Sequence, residues 1–265
     1  MKRSGVVGTI ICICMAALCL QTLHAANPKV LVDSLKQTRA ENVETIIDKQ
    51  FDEAKAHRGF RVVNPYGQKA IESVQRWERS AMRDEEVCAI RFLDANHSRY
   101  ELHDFESASA ALAASFVITH KGRCGSCSTL QDLVIYLTVT DLTTPARQCA
   151  RRIGLQRKKQ CFQESIGFTS YCAESWAYNA LHTRQKCLGV CIADYGLVNL
   201  ILGYYPGSNS DEMGQLRPCL QCDENKSGAG FKFSAGRTRR NSGIESAIER
   251  SGSEIYPLDH SAYFP

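Results

Sequence analysis

The 265-residue chain carries 32 lysine and arginine residues against 28 aspartate and glutamate residues, a formal charge of +4 at pH 7. So balanced a composition gives no indication of a nucleic-acid partner or of attraction to a charged membrane surface. The length suffices for one large domain or two small ones, each with a hydrophobic core.

The first 25 residues have the three-part layout of a secretory signal peptide. Lys2 and Arg3 form a cationic start, residues 6–20 are apolar, and small residues allow cleavage after Ala25 or Ala26. Such a run is short for a transmembrane helix, which needs about 20 apolar residues, although an uncleaved anchor remains an alternative. We therefore expect a secreted or periplasmic protein that has no stable membrane association after cleavage.

Cleavage would remove three of the thirteen cysteines and leave ten. An even number in an exported chain predicts a disulfide framework of up to five bridges, whose connectivity the sequence cannot give. Two of the ten could equally be free and functional. They are Cys88, Cys124, Cys127, Cys149, Cys161, Cys172, Cys187, Cys191, Cys219 and Cys222.

Residues 26–85 contain no cysteine and predict a helical N-terminal extension. Leu35, Ile46 and Ile47 recur at helical spacing in the segment that begins at residue 30, which favours an amphipathic helix. A turn over residues 64–67 separates it from a second predicted helix that begins at residue 68.

Residues 86–265 are predicted to form a cysteine-rich α+β domain. Residues 87–93 and 99–105 have the composition of strands on either side of a polar turn. A helix over 107–115 and a strand over 116–120 follow, and a helix resumes after the sequence Cys-Gly-Ser-Cys at 124–127. This order predicts a small antiparallel or mixed sheet and places Cys127 at or near a helix N-terminus.

The remainder of the chain is predicted to be mostly helical between residues 142 and 200. Loops are expected at 203–214 and at the glycine-rich residues 225–230, and a short helix is expected over 244–250. The predicted fold class is therefore a helix-dominated, disulfide-stabilised α+β fold with a small sheet and a helical N-terminal extension.

The Cys-Gly-Ser-Cys sequence is the first candidate for chemistry, because a helix N-terminus and a neighbouring cysteine both favour a thiolate. The sequence resembles the nucleophile motif of papain-type cysteine peptidases, which have a catalytic histidine 130–150 residues downstream. The resemblance implies a nucleophilic Cys127, a bridged Cys124 and a general base at His260. Ser128 stands where that family has an aromatic residue.

The same segment is also similar to thioredoxin-like oxidoreductases, which have the order strand, Cys-x-x-Cys, helix. In that case Cys124 would be a resolving thiol, and His120, which ends the strand, is an alternative base. A zinc site that joins His120 and this pair to Cys219 and Cys222 is a further alternative, and structural bridging of all ten cysteines is another. We predict no metal and no cofactor.

A basic turn near the C-terminus is the second candidate. Arg237, Arg239 and Arg240 precede Ser242 and the helix predicted over 244–250. Guanidinium groups beside an open helix N-terminus are suited to binding an anion. These four residues are therefore predicted to bind substrate, with a solvated basic turn as the alternative.

A third set of polar residues lies inside the cysteine-rich helices: Glu174, Trp176, Tyr178, Asn179, His182 and Arg184. Three of them, Glu174, Tyr178 and His182, share one predicted helix face at i, i+4 spacing. Such a face could provide general acid–base groups to a cleft, or could simply be exposed.

Two functional hypotheses remain open on the sequence alone. The first is a thiol-dependent enzyme, a hydrolase or a thiol–disulfide oxidoreductase, that acts on an anionic or peptide-like substrate, either a small molecule or a peptide. The second is a non-catalytic extracellular binding module in which every cysteine is bridged.

Overall fold

The computed structural model describes residues 28–50, 61–80, 84–248 and 252–263. The predicted signal peptide and its cleavage site after Ala25 or Ala26 lie outside these residues.

Residues 28–50 and 61–80 form three helices and a very short strand: α1 (Pro28–Gln37), β1 (Arg39–Ala40), α2 (Val43–Gln50) and α3 (Gln68–Glu78). The sequence predicted a single helix across α1 and α2. It is interrupted because Arg39 and Ala40 pair in parallel with Arg99 and Tyr100 of a later strand. Their peptide groups therefore take part in a sheet instead of a helix.

The other three strands have the predicted positions: β2 (Val87–Phe92), β3 (Arg99–Phe105) and β4 (Val117–Lys121). The sheet order is β1-β3-β2-β4, with β2 antiparallel to both β3 and β4, so that the sheet is mixed. Helix α4 (Ala108–Ala113) connects β3 to β4. Ser107 caps α4, since its side chain accepts a hydrogen bond from Ala110 N.

Six helices make up the second half: α5 (Leu130–Thr138), α6 (Thr143–Ala150), α7 (Leu155–Ile166), α8 (Ser170–Tyr195), α9 (Leu197–Leu202) and α10 (Pro218–Ala235). Thr129 and Thr169 cap α5 and α8 with their hydroxyl groups. Gly196 and Gly203 adopt positive φ and end α8 and α9.

Two predictions in this half are wrong. Residues 225–230 were expected to form a loop, but they lie within α10. Gly230 is needed there, because a Cβ atom at this position would collide with the ring of Tyr66. The helix expected over 244–250 does not form in its described residues, 244–248. A short 3-10 turn over Arg240–Ser242 lies before them, and the chain that follows it is irregular.

Every cysteine within the described residues forms a disulfide. Cys88–Cys124 joins β2 to the chain after β4, and Cys127–Cys172 joins that chain to α8. The other three bridges connect helices: Cys149–Cys161, Cys187–Cys222 and Cys191–Cys219. The predicted class, a helix-dominated and disulfide-stabilised α+β fold with a small mixed sheet, is therefore confirmed.

Buried apolar side chains form two main clusters. One combines α1–α3 with the sheet, α5 and α10, and its members include Ile47, Val74, Ile90 and Phe233. The other fills the space between α5, α6, α7 and α8. The division at residue 85 stays a prediction. None of the helices that the structure describes is both long and apolar enough to cross a bilayer.

Candidate functional site

The Cys-Gly-Ser-Cys turn is completely buried against the end of α10. Ser126 N donates to Ser234 O at 2.9 Å and Cys127 N to Ala235 O at 2.8 Å. A Cβ atom on Gly125 would lie 2.5 Å from the Ser234 carbonyl oxygen, so that only glycine allows this approach.

Neither sulfur of the turn is a free thiol in this structure. Cys124 bonds to Cys88 and Cys127 to Cys172, so the two cysteines are not bonded to each other. Helix α5 begins at Leu130, two residues beyond Ser128, and Thr129 caps it. The expected free thiol at Cys127 is thus replaced by a disulfide, and the arrangement is that of the all-bridged alternative.

The other two cysteines of the zinc alternative also form disulfides, Cys219 with Cys191 and Cys222 with Cys187, so they provide no thiolate ligands. Within the described ranges, no group of three or more histidine, cysteine, aspartate or glutamate residues is arranged to hold a metal ion.

His120 faces the turn from the end of β4 and is completely buried. Its Nε2 atom lies 2.7 Å from Ser128 Oγ, and its Nδ1 atom lies 3.0 Å from Lys121 O. Burial, together with the positive charge of Arg237, lowers the pKa of His120 well below its usual value. The neutral ring therefore forms a buried hydrogen bond with the hydroxyl group of Ser128.

Arg237, predicted to bind substrate, is the largest fully buried side chain. It donates to three backbone carbonyl oxygens: Thr119 O at 2.9 Å, Cys127 O at 3.0 Å and Ser128 O at 3.1 Å. It also donates to the hydroxyl groups of Thr119 and Ser242. Its donors thus connect β4, the cysteine turn and the basic turn, and they face acceptors inside the protein.

The other predicted residues of the basic turn have different surroundings. Arg240 forms ion pairs with Glu224 at 2.7 Å and with Glu254 at 2.8 Å. His260 Nε2 donates to Ser242 O at 2.7 Å, which places this ring beside the buried Ser242. Arg239 reaches a large cleft described below.

The face with Glu174, Tyr178 and His182 is divided between two environments. Glu174 is buried and pairs with Lys159 at 2.6 Å. The His182 ring stacks on Tyr66 with centroids 4.0 Å apart, and its Nδ1 atom lies 3.0 Å from Ser227 Oγ. Glu174 and His182 therefore have different partners.

The structure contains a cleft of about 1090 Å³ between α6, α8, α9 and α10. Aromatic rings form part of its wall, and Trp176 packs against Phe231 and Phe162 with centroid distances of 4.9 and 5.7 Å. Trp176 Nε1 donates to the Tyr136 hydroxyl at 3.3 Å. A cleft of this size with mainly apolar walls is suited to a small molecule.

The charged residues that line this cleft are strongly unequal in number. Among the residues that the structure describes, five are arginines and one, Asp223, is acidic; the arginines are Arg147, Arg151, Arg152, Arg184 and Arg239. Asp223 is held by hydrogen bonds from Thr183 and Asn179, and burial raises the pKa of its carboxyl group. The cleft therefore presents a net positive charge.

Three of these arginines are ordered by contacts with the cleft walls. Arg147 donates to the Tyr195 hydroxyl at 2.7 Å and lies over the Tyr205 ring at 4.6 Å. Arg239 donates to Glu245 O at 2.9 Å, and Arg151 donates to the carbonyl groups that end α9. Arg152 and Arg184 have exposed side chains at the cleft.

The sequence does not predict this cleft, although Trp176, Asn179, Arg184 and Arg239 line it and belong to the second and third candidate sets. Its residues come from several separate stretches of chain, and no local motif links them. A further signal is the density of arginines between 147 and 157, in residues whose pattern indicates only a helix.

A family described as a family of unknown function (DUF8771) matches residues 155–258. The match extends from α7 through the basic turn and covers less than half of the chain. Because the function of that family is unknown, the similarity assigns no activity to this protein. The chain matches no curated protein and no solved structure.

Proposed function

We propose that the protein is an exported, disulfide-stabilised binding protein that takes a small amphipathic anion into the arginine-lined cleft. The ligand has an apolar or aromatic body and one carboxylate, sulfate or phosphate group. The observation that carries the proposal is the combination, in one cleft of about 1090 Å³, of aromatic rings with five arginines and, among the described lining residues, one carboxyl group.

The walls and the arginines would recognise different parts of such a ligand. The rings of Trp176, Tyr205 and Phe231 are partly exposed and offer apolar surface to its body, which is driven from water by the hydrophobic effect. Guanidinium groups bind carboxylate and phosphate oxygens through paired hydrogen bonds. Arg152 and Arg184 are the arginines best placed for this, because their side chains are exposed at the cleft.

Export is supported by two observations. Five disulfides are typical of proteins from oxidising compartments. The first 25 residues, which lie outside the described structure, have the composition of a signal peptide.

Two fluorescent probes that share an aromatic body test the binding proposal. Anilinonaphthalene sulfonate carries a negative charge, whereas phenylnaphthylamine is its neutral counterpart. We expect saturable one-to-one binding of the sulfonate, and affinity for the neutral probe weaker by at least about tenfold, roughly 1.4 kcal/mol. Equal affinity for the two probes, or the absence of saturable binding, would contradict the proposal.

A pair of matched variants locates the site. Replacing Arg184 with methionine (Arg184→Met) removes one charge from the cleft and should weaken sulfonate binding by about fivefold, roughly 1 kcal/mol. Arg79→Met is the control, because Arg79 is exposed after α3 and is not part of the cleft. If both variants bind the sulfonate alike, the probe is not bound where we propose.

A thiol-dependent enzyme is the competing hypothesis, with Cys127 as nucleophile, Cys124 as its neighbour and His120 or His260 as base. It would need the Cys127–Cys172 disulfide to be reduced first. Activity that requires a reductant and is lost in Cys127→Ser, with sulfonate binding unchanged, would favour it over the binding proposal.

A further inference from the structure

We infer that α9 and the adjoining mouth of the cleft form a docking surface for an anionic lipid bilayer, a partner that the nearly balanced overall charge of the chain does not indicate. The inference goes beyond the proposed function and does not depend on it, because docking can be measured without any ligand in the cleft.

Helix α9 is almost entirely apolar and is poorly covered by the rest of the protein. Five of its six residues are leucine, isoleucine or valine, and none is buried. Val198 is 66% exposed and Leu202 is 69% exposed. Large contiguous apolar surfaces of this kind are uncommon on a monomer and mark contact sites.

The exposed apolar surface continues around the mouth of the cleft. Ile153, Leu188 and Ile201 are all exposed, and each of them also lines the cleft. The apolar side chains of three different elements therefore meet at one opening, where they could enter the outer part of a bilayer together.

The basic side chains at the same opening distinguish between possible partners. Arg151, Arg152 and Arg184 have exposed side chains and line the cleft beside these apolar residues. Arg151 also donates to the carbonyl groups of Ile201 and Leu202, which fixes a positive charge at the end of α9. Apolar side chains flanked by arginine are the combination that binds at the surface of anionic membranes.

A second copy of the chain fits this surface less well. A symmetric contact through α9 would bring the arginines of both mouths together, and like charges repel. Headgroups of anionic lipids, in contrast, would pair with them. Charge complementarity therefore favours a lipid surface as the occupant.

The test is flotation of the purified, disulfide-intact protein with vesicles of phosphatidylcholine alone or with about one-third phosphatidylglycerol. We expect binding to the anionic vesicles only, and that binding should weaken steeply as salt is raised. Equal binding to both vesicles, or binding to neither, would overturn the inference.

Matched variants connect the binding to α9. Val198→Asn should lower the vesicle partition coefficient by about tenfold, the effect of losing one buried aliphatic side chain. Val198 does not line the cleft, so sulfonate binding should be unchanged. Leu112→Asn is the control, since Leu112 on α4 is similarly exposed at 64%. Equal effects of the two substitutions would overturn the inference.

The charge contribution and self-association are tested in the same way. Arg152→Gln should reduce partition by about fivefold, since each basic residue near an anionic surface contributes about 1 kcal/mol, whereas Arg79→Gln should not. Analytical ultracentrifugation should show a monomer in the absence of vesicles. A dimer that Val198→Asn dissociates would overturn the inference and assign α9 to a second copy.

Discussion

Replacing Arg237 with methionine tests whether this side chain supports the fold or binds substrate. Methionine keeps much of the apolar length of arginine but has no donors. The carbonyl groups of Thr119, Cys127 and Ser128 would each lose a buried hydrogen bond. The structure therefore predicts a large loss of stability, whereas a substrate anchor would lose affinity and little stability.

The expected size of this loss follows from the contacts. A buried acceptor left without its donor costs about 1–3 kcal/mol, and three carbonyls give roughly 3–9 kcal/mol. Burial of the charged guanidinium group is itself unfavourable and lowers the pKa of Arg237 in the folded protein. Replacing Arg237 removes this cost and so offsets part of the loss. We therefore expect a net loss of about 4 kcal/mol, a large part of the roughly 5–15 kcal/mol that typically stabilises a folded protein.

Urea unfolding of the disulfide-intact protein, followed by circular dichroism, measures this loss. With a slope of about 2 kcal/mol/M, a loss of about 4 kcal/mol lowers the midpoint by about 2 M. Arg99→Met is the control, because Arg99 is exposed and its side chain pairs with Asp94 at the surface. It should lose less than about 1 kcal/mol. Similar small losses in both variants would refute the reasoning.

Three further predictions concern pH, close packing and a disulfide. Burial and the charge of Arg237 lower the pKa of His260 to about 4; because the unfolded chain binds this proton more tightly, stability should fall as pH decreases from about 6.5 to about 4. His260→Gln should remove about 3 kcal/mol of that fall. The free energies of unfolding of the protein and of this variant, compared at pH 7 and pH 4.5, test the prediction. Gly125→Ala should cost about 1–3 kcal/mol through its clash with α10, whereas Gly189→Ala, in open space within α8, should stabilise by up to about 1 kcal/mol; equal thermal midpoints would contradict this. Replacing Cys149 and Cys161 together by serine opens a 12-residue loop and should cost about 3 kcal/mol, and an unchanged urea midpoint would show that this bridge does not constrain the unfolded chain.

The parts of the fold that the sequence predicts well are those with a strong local pattern. Strands β2, β3 and β4 combine β-branched and aromatic residues with a polar turn, and they form where expected. The missed features depend on distant contacts. The break after α1 exists because Arg39 pairs with β3, and α10 tolerates Gly230 because the Tyr66 ring packs against it.

The sites were harder to predict for the same reason. Arg237 and Arg240 belong to one basic turn in sequence, but one is buried among carbonyl groups and the other pairs with two glutamates at the surface. Disulfide pairing is a property of the folded chain, so that the partner of Cys127 could not be found from spacing. The cleft combines residues from several helices, and no local pattern brings Trp176 and Arg184 together with Arg239 in one candidate site.

Alkylation of the native protein with iodoacetamide, followed by non-reducing peptide mapping, tests the central claim that the cysteines stabilise a binding fold. The structure predicts that no cysteine of residues 84–248 is labelled and that five linked peptide pairs are found, including Cys127 with Cys172. Selective labelling of Cys127 would contradict this account and make the thiol-dependent enzyme the better explanation.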